Sequence, residues 1–180
     1  MRCKIGNICT KIGSGATPRG GKESYQKKGI SLIRSQNILD FAFSKDGLVY
    51  INDIQAAQLN NVAIEPEDLL LNITGDSVAR ACMVPDEVLP ARVNQHVIII
   101  RPDCIKANSR FILYFIQSIK PYLLQISSAG ATRNALTKGM IEELEIDLPS
   151  LAEQGRIASI LSSLDARIVE NKKINHNLAA

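Results

Sequence analysis

Short apolar runs, separated by turn-forming residues, fill the first two thirds of the chain. Runs that alternate between apolar and polar residues, or stay apolar throughout, and that end at Gly, Pro, Asn or Asp are typical of strands. The pattern predicts strands at residues 4–12, 30–34, 48–51, 68–73, 78–84 and 96–101. Between the first two, the small and polar residues from Gly13 to Lys22 predict a long exposed loop.

Helical patterns interrupt these runs. Asn52 is placed to cap a short helix that ends near residue 60, and Asn108 to cap a longer one that ends near residue 120. Pro121 is expected to stop or kink the longer helix because proline has no backbone N–H. The apolar stripe of that helix consists of Phe111, Ile112, Phe115, Ile116 and Ile119. There follow a polar link at 127–134, a short helix at 138–143 and a strand at 144–148.

The C-terminal residues predict one long helix that begins at a capping box formed by Ser150 and Glu153. Alternating spacings of four and three give it a coiled-coil seam, which consists of Ile157, Leu161, Leu164, Ile168, Asn171, Asn175 and Leu178. At 1.5 Å per residue such a helix extends about 45 Å, which is longer than a small domain can cover. The seam therefore predicts a partner helix. The alternative is an amphipathic helix that lies on its own domain.

Together these elements predict an α+β fold, in which a twisted mixed β-sheet domain with helices precedes a long C-terminal coiled-coil helix. We expect the domain to span residues 1–149 and the helix residues 150–180. A hydrophobic fraction of 46% and a charged fraction of 22% are ordinary for a folded domain. No run approaches the roughly 20 apolar residues of a membrane span, and no signal core follows Met1. We expect a cytoplasmic protein with no membrane contact.

The net charge of +3 is small, but its distribution is uneven. Between Arg2 and Arg34 the basic residues face a single acid, Glu23, whereas the charged residues of 142–153 are all acidic. A basic patch at one end is expected of a surface that faces phosphates. A solvated lysine-rich loop explains the charge equally well.

The sequence offers little for catalysis. Its four cysteines form no Cys-x-x-Cys pair, so we expect buried thiols, no metal site and no cofactor. Of its two histidines, His96 lies in an apolar run and is expected to be structural. No phosphate-binding loop is present, nor the tetrapeptide with which an amino-methyltransferase holds a flipped base. A further hypothesis is a small hydrolase that uses Cys82 or Cys104 with His96, and it would require a reactive thiol.

Side chains suited to reading nucleic acid are, by contrast, frequent in the predicted loops. Arginine and amide side chains pair with guanine and adenine edges, and lysines and hydroxyls contact phosphates. We expect phosphate contacts from Lys11, Ser14, Thr17, Arg19, Lys22, Lys27 and Lys28. We expect positions nearer the bases for Arg34, Gln36, Asn37, Arg92, Asn94, Arg133 and Asn134. Aromatic residues make up only 4%, which favours duplex DNA over a platform that stacks single strands.

Several segments resemble the specificity subunits of type I restriction-modification systems. The most specific is the pattern Leu-Pro-x-Leu-x-Glu-Gln-x-x-Ile, which begins at Leu148, and it follows Ala131-Thr132-Arg133-Asn134-Ala135-Leu136-Thr137-Lys138. Upstream, the segments at 12–18, 33–38, 68–78 and 94–97 fall in the order that the family shows. The resemblance covers almost the whole chain.

The resemblance implies a target recognition domain that reads one half of a split DNA target. It also implies a spacer helix that pairs antiparallel with a second such helix. In this family the enzymes are separate: modification subunits methylate adenine with S-adenosylmethionine, and a restriction subunit uses ATP to translocate and cut DNA. The chain itself is therefore expected not to be an enzyme.

In one respect the chain departs from the family pattern. A complete specificity subunit has two recognition domains and two spacer helices, and only one of each is present here. The chain thus looks like a half-subunit, natural or truncated, and homodimerisation would rebuild a subunit with two recognition domains. The alternative function is a protein-interaction adaptor or anti-restriction remnant that acts through the C-terminal helix without binding DNA.

Overall fold

A four-stranded antiparallel sheet forms the middle layer of the structure, a computed structural model that describes residues 1–128 and 135–178. Its strands, in spatial order, are β2 (Cys9–Ser14), β8 (Val97–Pro102), β5 (Leu69–Asn72) and β6 (Ala81–Met83). The two inner strands are runs of Leu and Ile because both faces of this sheet are covered. Leu69, Leu71, Ile98 and Ile100 face one hydrophobic cluster, and Leu70 and Ile99 face the other.

A three-stranded sheet covers the second cluster. It consists of β4 (Val49–Ile51), β3 (Ile30–Ile33) and β7 (Ala91–Val93), in that order. β3 runs antiparallel to β4 and parallel to β7, so the sheet is mixed as predicted. The sequence pattern missed β7, because a three-residue strand is too short to show a period.

Helices cover the first cluster. They are α2 (Ser109–Ser118), α3 (Lys120–Ser128) and α4 (Lys138–Glu142), whereas α1 (Asp53–Gln58) packs on the second cluster through Ala56. The predicted caps of α1 and α2 are confirmed: Asn52 Oδ1 accepts from Gln55 N at 2.8 Å, and Asn108 Oδ1 accepts from Phe111 N at 3.0 Å. Pro121 breaks the helix without ending helical structure, since the chain continues as α3.

The continuous strand predicted for residues 4–12 is wrong. The chain forms β1 (Arg2–Lys4), then a 3-10 turn (Ile5–Ile8), and only then β2. In a 3-10 turn residues three apart lie on the same side, and this turn buries both Ile5 and Ile8. The strand predicted for 78–84 begins only at Ala81, because residues 76–79 form a turn in which Ala79 has φ +64°.

The basic N-terminal residues do not form one patch with the loop that follows. β1 pairs antiparallel with β9 (Glu145–Asp147), and Arg2 forms an ion pair with Glu145 there. Lys4 pairs with Glu143 in the same way. The acidic C-terminal stretch therefore neutralises the start of the chain, which corrects the prediction of a single phosphate-facing surface from residue 2 to residue 34.

The long C-terminal helix is α5 (Leu151–Leu178), and its predicted capping box is confirmed. Ser150 Oγ accepts from Glu153 N at 3.3 Å, while the Glu153 carboxylate accepts from Ser150 N at 3.0 Å. The Ser150 hydroxyl and then the Ser150 N–H donate to the Glu153 carboxylate, and these two bonds lower the pKa of Glu153. Beyond the cap, the helix packs on α2 through the buried side chains of Gln154 and Ala158.

The seam of α5 is exposed to solvent. The exposed fraction is 39% for Ile157, 49% for Leu164 and 51% for Ile168, whereas Leu161 is half-buried. Asn171 and Asn175 are also exposed. At 3.6 residues per turn, this seam lies about a quarter turn from the face that packs on α2. The helix therefore does not lie with its apolar ridge on its own domain. Among the described residues, no helix has the length and apolar character that crossing a membrane requires.

Candidate nucleic-acid interface

Four loop segments meet at one end of the two sheets. β2 and β5 both end beside the start of β8, because Ser14 pairs with Ile98 and Asn72 with Val97. β3 and β7 run parallel and end together, and β7 leads directly to β8. We call the resulting surface the loop rim. It consists of residues 14–19, 34–37, 74–80 and 94–96.

The loop after β2 lies against the end of β7 at Gly15. The Gly15 N–H donates to Val97 O at 3.2 Å, and a Cβ at this position would overlap the carbonyl oxygen of Val93. Only glycine allows this approach. Two residues later, the Thr17 hydroxyl donates to the side-chain oxygen of Gln95. Thr17 is thereby held at the rim. Ser14, Thr17 and Arg19 are all exposed, and Arg19 lies in a surface groove beside Gln58 and Leu59.

Arg34 and Gln36 lie in the turn after β3. The Arg34 guanidinium donates to Gly47 O at 2.5 Å and lies over the ring of Tyr25, 5.5 Å from the ring centroid. Gln36 is exposed, and its only bond among the described residues is a long one of 3.4 Å to Asp46 O. Both residues belong to the loop rim.

Two predicted base contacts have internal roles instead. Asn37 is fully buried: its Oδ1 accepts from Arg34 N at 3.0 Å, and its Nδ2 donates to Ser44 O and Asp46 O. Asn94 is also buried, and its Oδ1 accepts from His96 N at 3.1 Å. The two amide side chains hold the rim loops through hydrogen bonds to backbone groups, and neither side chain is exposed to solvent.

Lys11 and Arg92 are likewise engaged inside the protein. The Lys11 ammonium donates to Asn61 O at 2.7 Å. Arg92 donates to the carbonyl oxygens of Ala56 and Ala91, at 3.1 and 2.9 Å. Partial burial lowers the pKa of both side chains. These cations stabilise the fold around the strands, which is not the role expected of them.

The remaining predicted contacts are Lys22, Lys27, Lys28, Arg133 and Asn134. Lys27 and Lys28 are exposed and precede β3, at the opposite end of that strand from the rim. Lys22 belongs to the 3-10 turn Gly21–Ser24. Arg133 and Asn134 lie outside the described residues.

The rim contains a pocket that the sequence did not predict. Its volume is about 470 Å³, and it is lined by Ser35, Gln36, Thr74, Gly75, Asp76, Ser77, Arg80 and His96. Most of these residues belong to the loop after β5, part of which was predicted as strand 78–84. The Gly75-Asp76 pair was a turn signal that pointed to this loop.

The groups named for a hydrolase do not form one. Cys104 is exposed, which corrects the prediction that it is buried, and it lies beyond the opposite end of β8 from His96. Burial raises the pKa of the Cys82 thiol to about 12, so the nucleophilic thiolate is scarce at neutral pH. His96 Nδ1 lies 2.7 Å from the Thr74 hydroxyl, in a hydrogen bond that fixes the ring. Within residues 1–128 and 135–178, no three His, Cys, Asp or Glu side chains are grouped to hold a metal ion.

Comparison with known proteins gives a consistent set of relatives. The family model described as "Type I restriction modification DNA specificity domain" matches residues 1–179. The chain is 27% identical to the putative type I restriction enzyme MjaX specificity subunit of Methanocaldococcus jannaschii, over 91% of this chain and 36% of that protein. It therefore spans about a third of the length of this curated relative.

Solved structures share the fold. A chain from a study of complex assembly and conformational transition in a type I R-M system superposes with a TM-score of 0.74 at 20% identity. It is matched over 96% of this chain and 40% of that one. The HsdS subunit of Thermoanaerobacter tengcongensis gives a TM-score of 0.71 at 19% identity, over 96% and 39% of the two chains. The S subunit from M. genitalium gives 0.69 at 12% identity, over 96% and 41%.

Proposed function

Because the chain belongs to the type I restriction modification DNA specificity domain family, we propose that it recognises a sequence in double-stranded DNA through the loop rim. The observation that carries this proposal is the convergence of four polar loop segments at one end of a rigid aliphatic core. Side chains held on a rigid scaffold suit sequence reading, since their placement costs little entropy on binding.

Within the rim we assign two kinds of contact. Ser14, Thr17 and Arg19 would contact phosphates, which position a protein on the duplex without reading its sequence. Arg34 and Gln36 would lie nearer the bases. Arg133 and Asn134 stay in the proposal, because Ala135, which follows them, pairs with Thr74 of the rim.

DNA binding is tested with the full chain and a labelled duplex library of randomised sequence. We expect selective enrichment of one sequence, with an affinity that falls steeply as salt rises, because phosphate contacts release counterions. Arg19→Ala should weaken binding to all duplexes, and Lys28→Ala, at the other end of β3, is the matched control. Absence of duplex binding at low salt would refute the proposal.

We further propose that residues 150–180 act as a spacer that pairs with a second such helix. The exposed seam supports this, since exposed apolar residues at heptad spacing are stabilised by a partner. A second copy would give a homodimer with two rims, and a different half-subunit would give a heterodimer.

If two copies of this chain pair through their seams, light scattering should show a dimer. Leu164→Glu should dissociate it, whereas Ile174→Glu, exposed but outside the seam, should not. A monomer at micromolar concentration would remove the homodimer.

Catalysis in this proposal belongs to partners. The chain would direct a modification subunit and a restriction subunit to its target in the cytoplasm, without an active site of its own. The adaptor that acts through α5 without binding DNA is less well supported, because it gives no role to the polar rim. Salt dependence separates the two, since apolar helix pairing holds or tightens as salt rises.

A further inference from the structure

The pocket of about 470 Å³ in the loop rim has a cation, Arg80, and an anion, Asp76, in its wall. Its other lining side chains are hydroxyls, an amide and an imidazole. A guanidinium can only donate hydrogen bonds and a carboxylate can only accept them. A ligand in the pocket can therefore accept hydrogen bonds from Arg80 and donate hydrogen bonds to Asp76.

Buried hydrogen bonds fix the shape of this pocket. Asn72 is fully buried at the end of β5, and its Nδ2 donates to Ser35 O at 2.9 Å and to Ser77 Oγ at 3.1 Å. One amide thus ties together two of the loops that form the wall. On the other side, the bond between Thr74 Oγ1 and His96 Nδ1 joins the same loop to the start of β8.

The loop that carries both charges is closed at its base. Asn72 N donates to Arg80 O, and Ala79 N donates to Asn72 O, each at 2.9 Å. Ala79 is buried and adopts a left-handed conformation that residues other than glycine rarely take. The chain reverses here, so that Asp76 and Arg80 both reach the pocket.

Neither charge is neutralised by a neighbour in the described part of the chain. No ion pair within residues 1–128 and 135–178 involves Arg80 or Asp76. Arg80 is half-buried and Asp76 is exposed. Among those residues, both side chains keep their hydrogen-bonding capacity for a ligand.

On the basis of the proposed DNA recognition, we infer that this pocket reads one G·C base pair in the major groove. Arg80 donates to guanine O6 and N7, and Asp76 accepts from the N4 amino group of the paired cytosine. An A·T pair fits poorly. Adenine offers the guanidinium one acceptor and one donor, and the thymine O4 acceptor repels the carboxylate.

The test is selection from a randomised duplex library with the full chain, its Arg80→Lys variant and its Asp76→Asn variant. Lysine keeps the positive charge but loses the planar fork, and asparagine keeps the shape but adds a donor. We expect the wild-type target to contain a G·C pair that both variants read about tenfold less selectively. Preferences at the other positions should persist. Arg110→Lys and Asp147→Asn, both exposed and away from the rim, should leave the target unchanged.

Three other results would overturn the inference. The variants could select the wild-type target unchanged, or they could lose affinity for all sequences equally, as loss of a phosphate contact does. Failure of the wild-type chain to bind any duplex would remove the proposed function and this inference together. Thermal unfolding confirms that each variant folds, and Asp76→Asn alone decides the test if Arg80→Lys is unstable.

Discussion

The Tyr114 hydroxyl of α2 donates a hydrogen bond of 2.6 Å to the Asp165 carboxylate of α5. The same oxygen lies 3.2 Å from Ser162 Oγ, one turn earlier on α5. The side chains from Ala166 to Asn175 are all exposed, so this contact lies near the last point at which the body holds the helix. It therefore helps to set the direction in which α5 leaves the domain.

Replacement of Tyr114 by phenylalanine should loosen that attachment. We expect a loss of about 1 to 2 kcal/mol in the free energy of unfolding, because the hydrogen bond goes to a charged group that is partly buried. Hydrogen exchange should become faster around residues 158–165. Tyr122→Phe is the matched control, since Tyr122 is 52% exposed. Equal effects of the two substitutions would contradict this role.

The Tyr114 hydroxyl should also lose its proton at a higher pH than an ordinary tyrosine does. Desolvation, and then the bond to Asp165, raise its pKa above the ordinary value of 10.0. A raised folded-state pKa means that the contribution to stability is complete below about pH 10 and is lost as the pH rises through the higher folded value. The absorbance difference between the wild type and Tyr114→Phe, followed through an alkaline titration, measures this ionisation. A midpoint at or below 10.0 would disprove the shift.

A buried ion pair should contribute more than the surface pairs. Arg101 donates to both oxygens of Asp68, at 2.7 and 2.8 Å, and Asp68 is fully buried. Arg101→Ala leaves that carboxylate without its cation, so we expect a loss of about 3 to 5 kcal/mol in urea denaturation. Arg2→Ala breaks an exposed pair with Glu145 and should cost less than about 1 kcal/mol. Similar losses in the two variants would show that this burial argument is wrong.

Gly15 and Gly13 give a matched pair at the rim. A Cβ at Gly15 would overlap the Val93 carbonyl, whereas one at Gly13 meets nothing within 4 Å. Gly15→Ala should therefore cost about 1 to 3 kcal/mol and displace the loop after β2, and Gly13→Ala should be close to neutral. Thermal unfolding measures the first effect. Duplex affinity, relative to Gly13→Ala, measures the second.

The cap of α5 should weaken in acid. Hydrogen bonds from Ser150 lower the pKa of Glu153 below its ordinary value of 4.5. Its contribution is therefore present above 4.5 and is lost as the pH falls through the lower folded value. Glutamine keeps the capping geometry without the charge. The stability difference between the wild type and Glu153→Gln should be constant well above pH 4.5 and should shrink as the pH falls below that value. A difference independent of pH would exclude this contribution.

Local signals made much of the fold predictable. The caps at Asn52, Asn108 and Ser150 depend on residues three positions away, so the sequence alone revealed them. Strand β7 depends on pairing with β3, which lies almost sixty residues earlier, and no local pattern marks such a pairing. The 3-10 turn after β1 was missed because its buried isoleucines also fit a strand.

The candidate site was less predictable than the fold. Asn37 and Asn94 have the side chains of base readers, yet they bond to backbone groups that only folding brings near. Arg80 lies in segment 78–84, which was predicted as a strand, so it was not identified as a site residue. Amides and arginines serve both DNA edges and internal carbonyl groups, so residue type does not separate these roles.

Three asparagines that are buried in the described part of the chain, Asn37, Asn72 and Asn94, connect the aliphatic layers to the loop rim through hydrogen bonds that involve mainly backbone groups. Most of these partners are backbone atoms. The hydrogen bonds therefore depend little on which side chains the neighbouring rim residues expose to solvent. A lineage that retains these three amides can therefore change its exposed side chains, and with them its preferred ligand, without repacking the interior. Diversification would then require few mutational steps.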